Sequence, residues 1–294
     1  MSFFKKYREK REGAIRFYDL NSPGTRVACV LIFLACILML VIAIFPVIWV
    51  MLGSFKDIAE LRNSTTILPK SFDLAGIIGT WKDLKFTRYY INSAISAAGS
   101  IVCAVVFNGL LAYVLAIVKP RGHMIIFGLV MWAMLIPPTT SIVALFVNIN
   151  RLGLTNSFLP LWLSMGANAF WVVLFKQYFE GLPKEYIEAA QLDGCSQLQV
   201  FLRIILPLSK PIVTVVAIFA LTAAWNDFLL PYLVLSGGAK ETVMVRLFSF
   251  RTNIRATDAD ILRGVLFAIL PPAIVFALFQ KQITSGVAAG GIKG

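Results

Sequence analysis

Histidine is almost missing from this chain: His123 is the only one in 294 residues. A single imidazole cannot build a multi-histidine metal site, and no cluster of acids accompanies it as a catalytic set would require. Charge is scarce too. Asp, Glu, Lys and Arg make up 14% of the sequence, against about a quarter in ordinary soluble domains. Cysteine is limited to Cys29, Cys36, Cys103 and Cys195. Three lie in apolar runs, one in a polar loop, and none forms a C-x-x-C pair, so neither a disulfide framework nor a metal site is indicated. No G-x-x-x-x-G-K-[ST] string occurs, which removes that route to binding and hydrolysing ATP. No segment repeats at a fixed period, so the signature of a repeat-built carrier is missing.

What remains is apolar. Hydrophobic residues form 59% of the chain and the mean hydropathy is +0.80. That excess cannot be hidden in one water-soluble core, and a bilayer is the simplest solvent for it. The expected fold is an all-α membrane bundle with six spans: 27–52, 89–118, 124–147, 158–179, 212–235 and 261–279. The net charge of +12 would suggest nucleic acid on a soluble chain. Here the basic residues gather near the ends of apolar runs, where they meet anionic lipid headgroups and orient helices. Membrane lipid, not nucleic acid, is the expected partner of that charge.

Residues 1–26 carry Lys5, Lys6, Arg8, Lys10, Arg11, Arg16 and Arg26 against three acids. The following run is too long for a signal-peptide core and lacks a small-residue cleavage site, so it reads as a retained first span. The turn Lys119-Pro120-Arg121-Gly122-His123 is also basic, and His123 reads as an interfacial residue. Both basic segments share a side if the amino terminus is cytoplasmic. This orientation predicts a multi-pass cell-membrane protein with both termini, the 180–211 loop and a 280–294 tail in the cytoplasm. Pro137-Pro138, Pro231 and Pro271-Pro272 fall in or at the ends of spans. Each removes a backbone donor and predicts a kink or break.

The 180–211 loop is too polar to span and too patterned for a linker. Pro183 suits a first helical turn. Lys184 to Asp193 are mostly good helix formers, with Glu185 and Glu188 at the favourable end. Gly194 can end that helix in a left-handed conformation. Ser196 and Gln199 have capping-box spacing. Leu198, Phe201, Leu202 and Ile205 then fall at i, i+3, i+4 and i+7, an apolar stripe, and Pro207 is expected to stop the helix. From the residues alone, this helix–glycine–helix either packs beneath the bundle or presents a knob to a soluble partner.

Glu188-Ala189-Ala190, three residues, Gly194, nine residues, Ile204, one residue, Leu206-Pro207 resembles the EAA loop of ABC importer permeases at every spacing. The six spans, the Trp225-Asn226-Asp227-Phe228 string and the ending Ala289-Gly290-Gly291-Ile292-Lys293-Gly294 look like the sugar-importing group that includes the smaller permease subunit of the maltose transporter. The resemblance covers the chain from the first span onward. It implies that Glu185, Glu188, Ala189, Ala190, Asp193, Gly194, Ile204, Leu206 and Pro207 form a docking element for a separate ATPase subunit. It implies that Gly290, Gly291 and Lys293 belong to a tail that reaches the ATPase dimer, with a frayed terminus the competing reading. The implied partners are a second permease subunit, an ATPase dimer and an extracytoplasmic solute-binding protein. The chain itself would bind no cofactor; ATP and Mg would sit on the partner ATPase. It would be a transport subunit rather than an enzyme.

Asp227 is the one acid placed within a span, about 15 residues from its start, or roughly 22 Å at helical rise. An intramembrane acid is a functional candidate. Trp225, Asn226, Asp227 and Asn108 are therefore candidate substrate-path residues, with capping or inter-helix contact the competing reading; Asn92 and Asn168 read first as inter-helix contacts. Rival functions are an ABC importer for a non-sugar solute and an ion-coupled carrier.

Overall fold

The computed structural model describes residues 23–64, 66–252 and 256–291, with side chains described as far as Gln282. Among these residues there are helices and no strands. Their order is α1 Pro23–Gly53, α2 Ile58–Asn63, α3 Leu74–Asp83, α4 Phe86–Val118, α5 His123–Ala133, α6 Ile142–Arg151, α7 Leu159–Met165 and α8 Ala169–Glu180. They continue as α9 Glu185–Leu192, α10 Gln197–Leu208, α11 Lys210–Asn226, α12 Leu229–Leu235, α13 Val243–Arg251 and α14 Asp258–Gly291.

Among the described residues three helices are long and apolar enough to cross a membrane unbroken: α1, α4 and α14. Three further pairs meet the same test once each bend is allowed. α5 and the segment Pro138–Arg151 meet at 92°, where Pro137 and Pro138 interrupt the ladder and a short 3-10 turn begins. α7 and α8 meet at 46° without any proline at the joint. α10 and α11 meet at 86° at Ser209. The fifth predicted span is itself interrupted at Asp227-Phe228, between α11 and α12. The proline pair Pro271-Pro272, by contrast, lies inside α14 without breaking it.

α1 is set apart. Its 31 residues contain one buried position, Gly53 at the end. There a Cβ would meet Leu262 Cδ1 at 3.2 Å. From Val27 onward the helix presents mostly exposed apolar side chains, which in a bilayer costs nothing because lipid tails are as apolar as Leu.

Three apolar clusters hold the rest. The largest joins α4, α8, α11 and the 180–211 loop around Tyr113, Phe175, Phe179, Phe201 and Val216. A second lies at the opposite end of α4 and is aromatic: Phe86, Tyr89, Trp225 and Phe267 pack with Trp81 and Tyr90. A third joins α6, α7 and α12 through Ile149, Leu161 and Leu235. Close approach of α4 and α7 depends on Gly99, where a Cβ would fall 2.2 Å from the Trp162 ring.

Arg263, which sequence reading passed over, ties the ends of α1, α3 and α14 together. It is 5% exposed. Its Nε donates to the Ser54 carbonyl at 3.2 Å and Nη2 to the Lys56 carbonyl at 3.2 Å. Nη2 also meets Asp73 Oδ2 at 2.6 Å and Nη1 meets Asp260 Oδ1 at 3.1 Å. Thr80 Oγ1 donates to Asp260 Oδ1 at 2.8 Å, and Thr257 Oγ1 to Oδ2 at 2.6 Å. Every charge in the group thus has a partner, as burial requires. The available signal was a lone Arg two residues into an apolar run, close to Asp258 and Asp260.

Candidate functional site

The local chemistry of the 180–211 loop forms as its residues dictate. α9 runs from Glu185, one residue after Lys184. Gly194 has φ +81, the left-handed conformation that favours glycine, and an empty surround. The Cys195 amide returns to the Ala190 carbonyl at 3.0 Å and the Gly194 amide to Gln191 at 3.1 Å, closing the helix end. Ser196 then caps α10. The Gln199 amide donates to Ser196 Oγ and the Ser196 amide to Gln199 Oε1, both halves of a capping box.

α9 has two faces. Ile187 and Ala190 point into the main core. Glu185, Tyr186, Glu188, Ala189, Leu192 and Asp193 are exposed. Leu192 is 89% exposed, a large apolar side chain at the tip of a charged knob. Sequence reading missed Tyr186 and Leu192. The signal was the complement of the buried pair: on an eight-residue helix, whatever does not share the face of Ile187 and Ala190 must look outward.

α10 is seated differently from the predicted stripe. Val200, Phe201 and Ile205 are buried, whereas Leu198 and Leu202 are 56% and 48% exposed. The cause is a π-helical stretch at Phe201–Ile205, whose wider turn breaks the 3.6-residue spacing. Pro207 does not stop the helix either. It occupies a first-turn position of the closing segment Leu206–Leu208, and the chain bends only at Ser209. Ile204 and Leu206 are half-buried against the core, and Pro207 is exposed.

The loop is bolted to α4. Tyr113 Oη donates to Gln197 Oε1 at 2.5 Å. The Tyr113 and Phe201 rings lie 5.4 Å apart. Gly109 leaves room for Phe201, whose Cζ lies 3.4 Å from where a Cβ would be. These contacts tie α10 to α4.

The candidate path residues separate into two kinds. Asn108 is 1% exposed. Its Nδ2 donates to the carbonyls of Ala104 at 2.8 Å and Met165 at 2.9 Å, and its Oδ1 accepts from the Asn168 amide at 2.8 Å. The Asn168 side chain in turn accepts from the Trp171 amide at 3.1 Å. The bonds at Met165, Asn168 and Trp171 satisfy backbone groups freed at the 46° joint between α7 and α8. Trp225 is also committed. Its Nε1 donates to the Ala268 carbonyl at 3.0 Å, and Tyr90 Oη donates to the neighbouring Phe267 carbonyl. Asn92, likewise, binds the carbonyls of Ala239 and Glu241. Asn226 is exposed and Asp227 half-exposed. Asp227 sits at the break with its carboxylate facing the amides of Leu229 and Leu230. Asn226 and Asp227 remain accessible; Asn108 and Trp225 join helices. Gly290 and Gly291 lie in the last turn of α14, and Lys293 lies outside the described residues.

No cluster of His, Cys, Asp or Glu with metal-binding geometry occurs among the described residues. An all-helical bundle of long and broken apolar helices, with an exposed helix–glycine–helix rooted in its core, has the form of a multi-pass membrane protein. Residues 108–287 match the family described as binding-protein-dependent transport system inner membrane component, and the chain belongs to it. It is 31% identical over 279 residues to the arabinooligosaccharides transport system permease protein AraQ of Bacillus subtilis (strain 168), covering 93% of this chain and 99% of that one. It is 33% identical to the galactooligosaccharides transport system permease protein GanQ of the same organism, over 87% of this chain and 92% of the relative. Among solved structures, a chain of a bacterial ABC transporter involved in import of the acidic polysaccharide alginate shares the fold. Its TM-score is 0.79 at 21% identity, over 88% of this chain and 98% of that one.

Proposed function

We propose that this chain forms half of the translocation path of an ATP-driven, binding-protein-dependent importer for oligosaccharides. Its partners are a second permease subunit, an ATPase dimer that holds ATP and Mg, and an extracytoplasmic solute-binding protein. The amino terminus, the 180–211 loop and the carboxyl terminus lie in the cytoplasm, and α9 enters a recess on the ATPase. One observation carries the reading: α9 holds itself in the core by Ile187 and Ala190 while offering Glu185, Glu188, Asp193 and the bare Leu192 side chain outward. An apolar tip ringed by acids suits an apolar recess with basic edges. The cargo assignment rests on relatives named for arabinooligosaccharide and galactooligosaccharide transport. The tail around Gly290, Gly291 and Lys293 is taken to approach the ATPase dimer.

The test is vesicle uptake of a panel of labelled oligosaccharides by the reconstituted complex, with and without ATP and binding protein. Uptake that requires both supports the assignment. Uptake driven by an ion gradient with no ATPase present overturns it, and ATP-driven uptake of a non-sugar solute alone overturns the cargo.

A further inference from the structure

At the end of the bundle opposite the 180–211 loop, a cleft of about 500 Å³ opens where α3 hands over to α4. Lys82, Lys85 and Arg88 line it together with Trp81 and Ile91. Lys85 has φ +52, a left-handed conformation, so the chain reverses sharply and brings the last turn of α3 beside the first turn of α4. Neither Lys82 nor Lys85 makes an ion pair with a described residue, and Arg88 makes none either. Arg88 spends its Nε on the Ala239 carbonyl at 3.1 Å, leaving both terminal nitrogens. The nearest acid in sequence, Asp83, is exposed and does not line the cleft. Three converging, unpaired cations repel one another and favour an anion between them.

The walls are stiff. Trp81 Nε1 donates to Thr87 Oγ1 at 3.0 Å, and its ring packs within 5.4 Å of Phe86, Tyr90 and Phe267. An apolar track begins at the cleft. Ile91, Ile95 and Val102, spaced at four and seven residues, are 56%, 42% and 60% exposed on one side of α4. A basic mouth continuous with an apolar track on a membrane span has two parts, and one class of ligand matches both.

We propose that this cleft holds the headgroup of an anionic phospholipid, with its acyl chains along Ile91, Ile95 and Val102. The phosphate accepts from Lys82, Lys85 and the free Arg88 nitrogens, and Trp81 marks the boundary between headgroup and hydrocarbon. A free phosphate would use the mouth alone. The site needs only that the chain spans a bilayer, so it stands or falls separately from the transport assignment.

The experiment is native mass spectrometry of the purified complex from nanodiscs of mixed phosphatidylglycerol and phosphatidylcholine. Wild type should retain phosphatidylglycerol selectively. Lys82→Gln/Lys85→Gln should retain it roughly 25-fold less, about five-fold per charge near an anionic surface, and Lys82→Arg/Lys85→Arg should retain it fully. An unchanged melting temperature checks that the variant bundle is folded. Equal retention by wild type and the Gln variant, or no preference over phosphatidylcholine in wild type, overturns the site. So does binding of inorganic phosphate alone without the lipid. If the Gln variant keeps phosphatidylglycerol but loses response to a solute-binding protein, the cleft is a protein contact and the lipid assignment fails.

Discussion

Tyr113 and Gln197, 84 residues apart in sequence, meet at 2.5 Å through a phenolic hydroxyl that is buried inside the bundle. This bond is the polar half of the joint between α4 and the loop; the Tyr113–Phe201 ring contact is the apolar half. Tyr113→Phe keeps the second and removes the first. It should cost about 0.5–1.5 kcal/mol of stability, read by thermal melting. In the reconstituted complex it should lower solute moved per ATP hydrolysed more than it lowers hydrolysis itself. An unchanged ratio would show that the joint is structural only.

Leu192→Glu tests the knob without touching the fold, since the side chain has almost no contacts to lose. Melting should stay within about 0.5 kcal/mol of wild type, while co-purification of the ATPase subunit drops sharply. Full recovery of the ATPase subunit with this variant would place docking elsewhere.

Gly194→Pro attacks the geometry instead. Proline fixes φ near −65° and has no amide hydrogen, whereas Gly194 sits at φ +81 and donates to Gln191. The helix end should unravel and ATPase binding should be lost, with the protein still membrane-inserted. Gly194→Ala should be milder, about 1 kcal/mol, and the contrast between the two is measured by pull-down.

Arg263→Met should be the most damaging of these single changes. It leaves Asp73 and Asp260 without their shared cation and orphans the Ser54 and Lys56 carbonyls. The expected cost is about 3–5 kcal/mol, seen as a lowered melting temperature and as proteolysis near residues 54–57. A melting temperature equal to wild type would mean the group is not buried in the assembled protein.

Asn108→Leu and Asn226→Ala should behave as opposites. The first strands the Asn168 amide and the Met165 carbonyl and should cost about 1–3 kcal/mol. The second removes an exposed side chain and should leave melting unchanged while raising the KM for solute. A stable Asn108→Leu protein, or an unchanged KM in Asn226→Ala, would dissolve the division between joint and path.

How much of this was legible in the sequence follows from the range of the forces involved. The six apolar runs were legible because hydropathy is a local sum. The glycine end of α9 and the Ser196–Gln199 box were legible because both close within a few residues. Proline predicted the 92° break after α5, yet the break after α7 has no proline; it is held open by Asn108 from another helix, and single-segment reading cannot see that. The same applies to Arg263, whose four partners come from three separate stretches. The apolar stripe of α10 is only partly buried, because the π-helical stretch at Phe201–Ile205 departs from the regular spacing on which a stripe is read. Trp225 and Asn108 looked like ligand groups because polarity in an apolar run signals either a path or a joint, and only the partner atoms distinguish them.

The right-angled bend at Ser209 makes α10 and α11 a bell crank. Its short arm, α10, is about 18 Å long and its long arm, α11, about 26 Å. A rigid turn about Ser209 that moves the start of α10 by 1 Å therefore swings the Asn226 end of α11 by about 1.4 Å. The two displacements lie at nearly 90° to one another, so a push along the membrane normal at the start of α10 becomes a larger sideways sweep of the span at the far side of the bilayer.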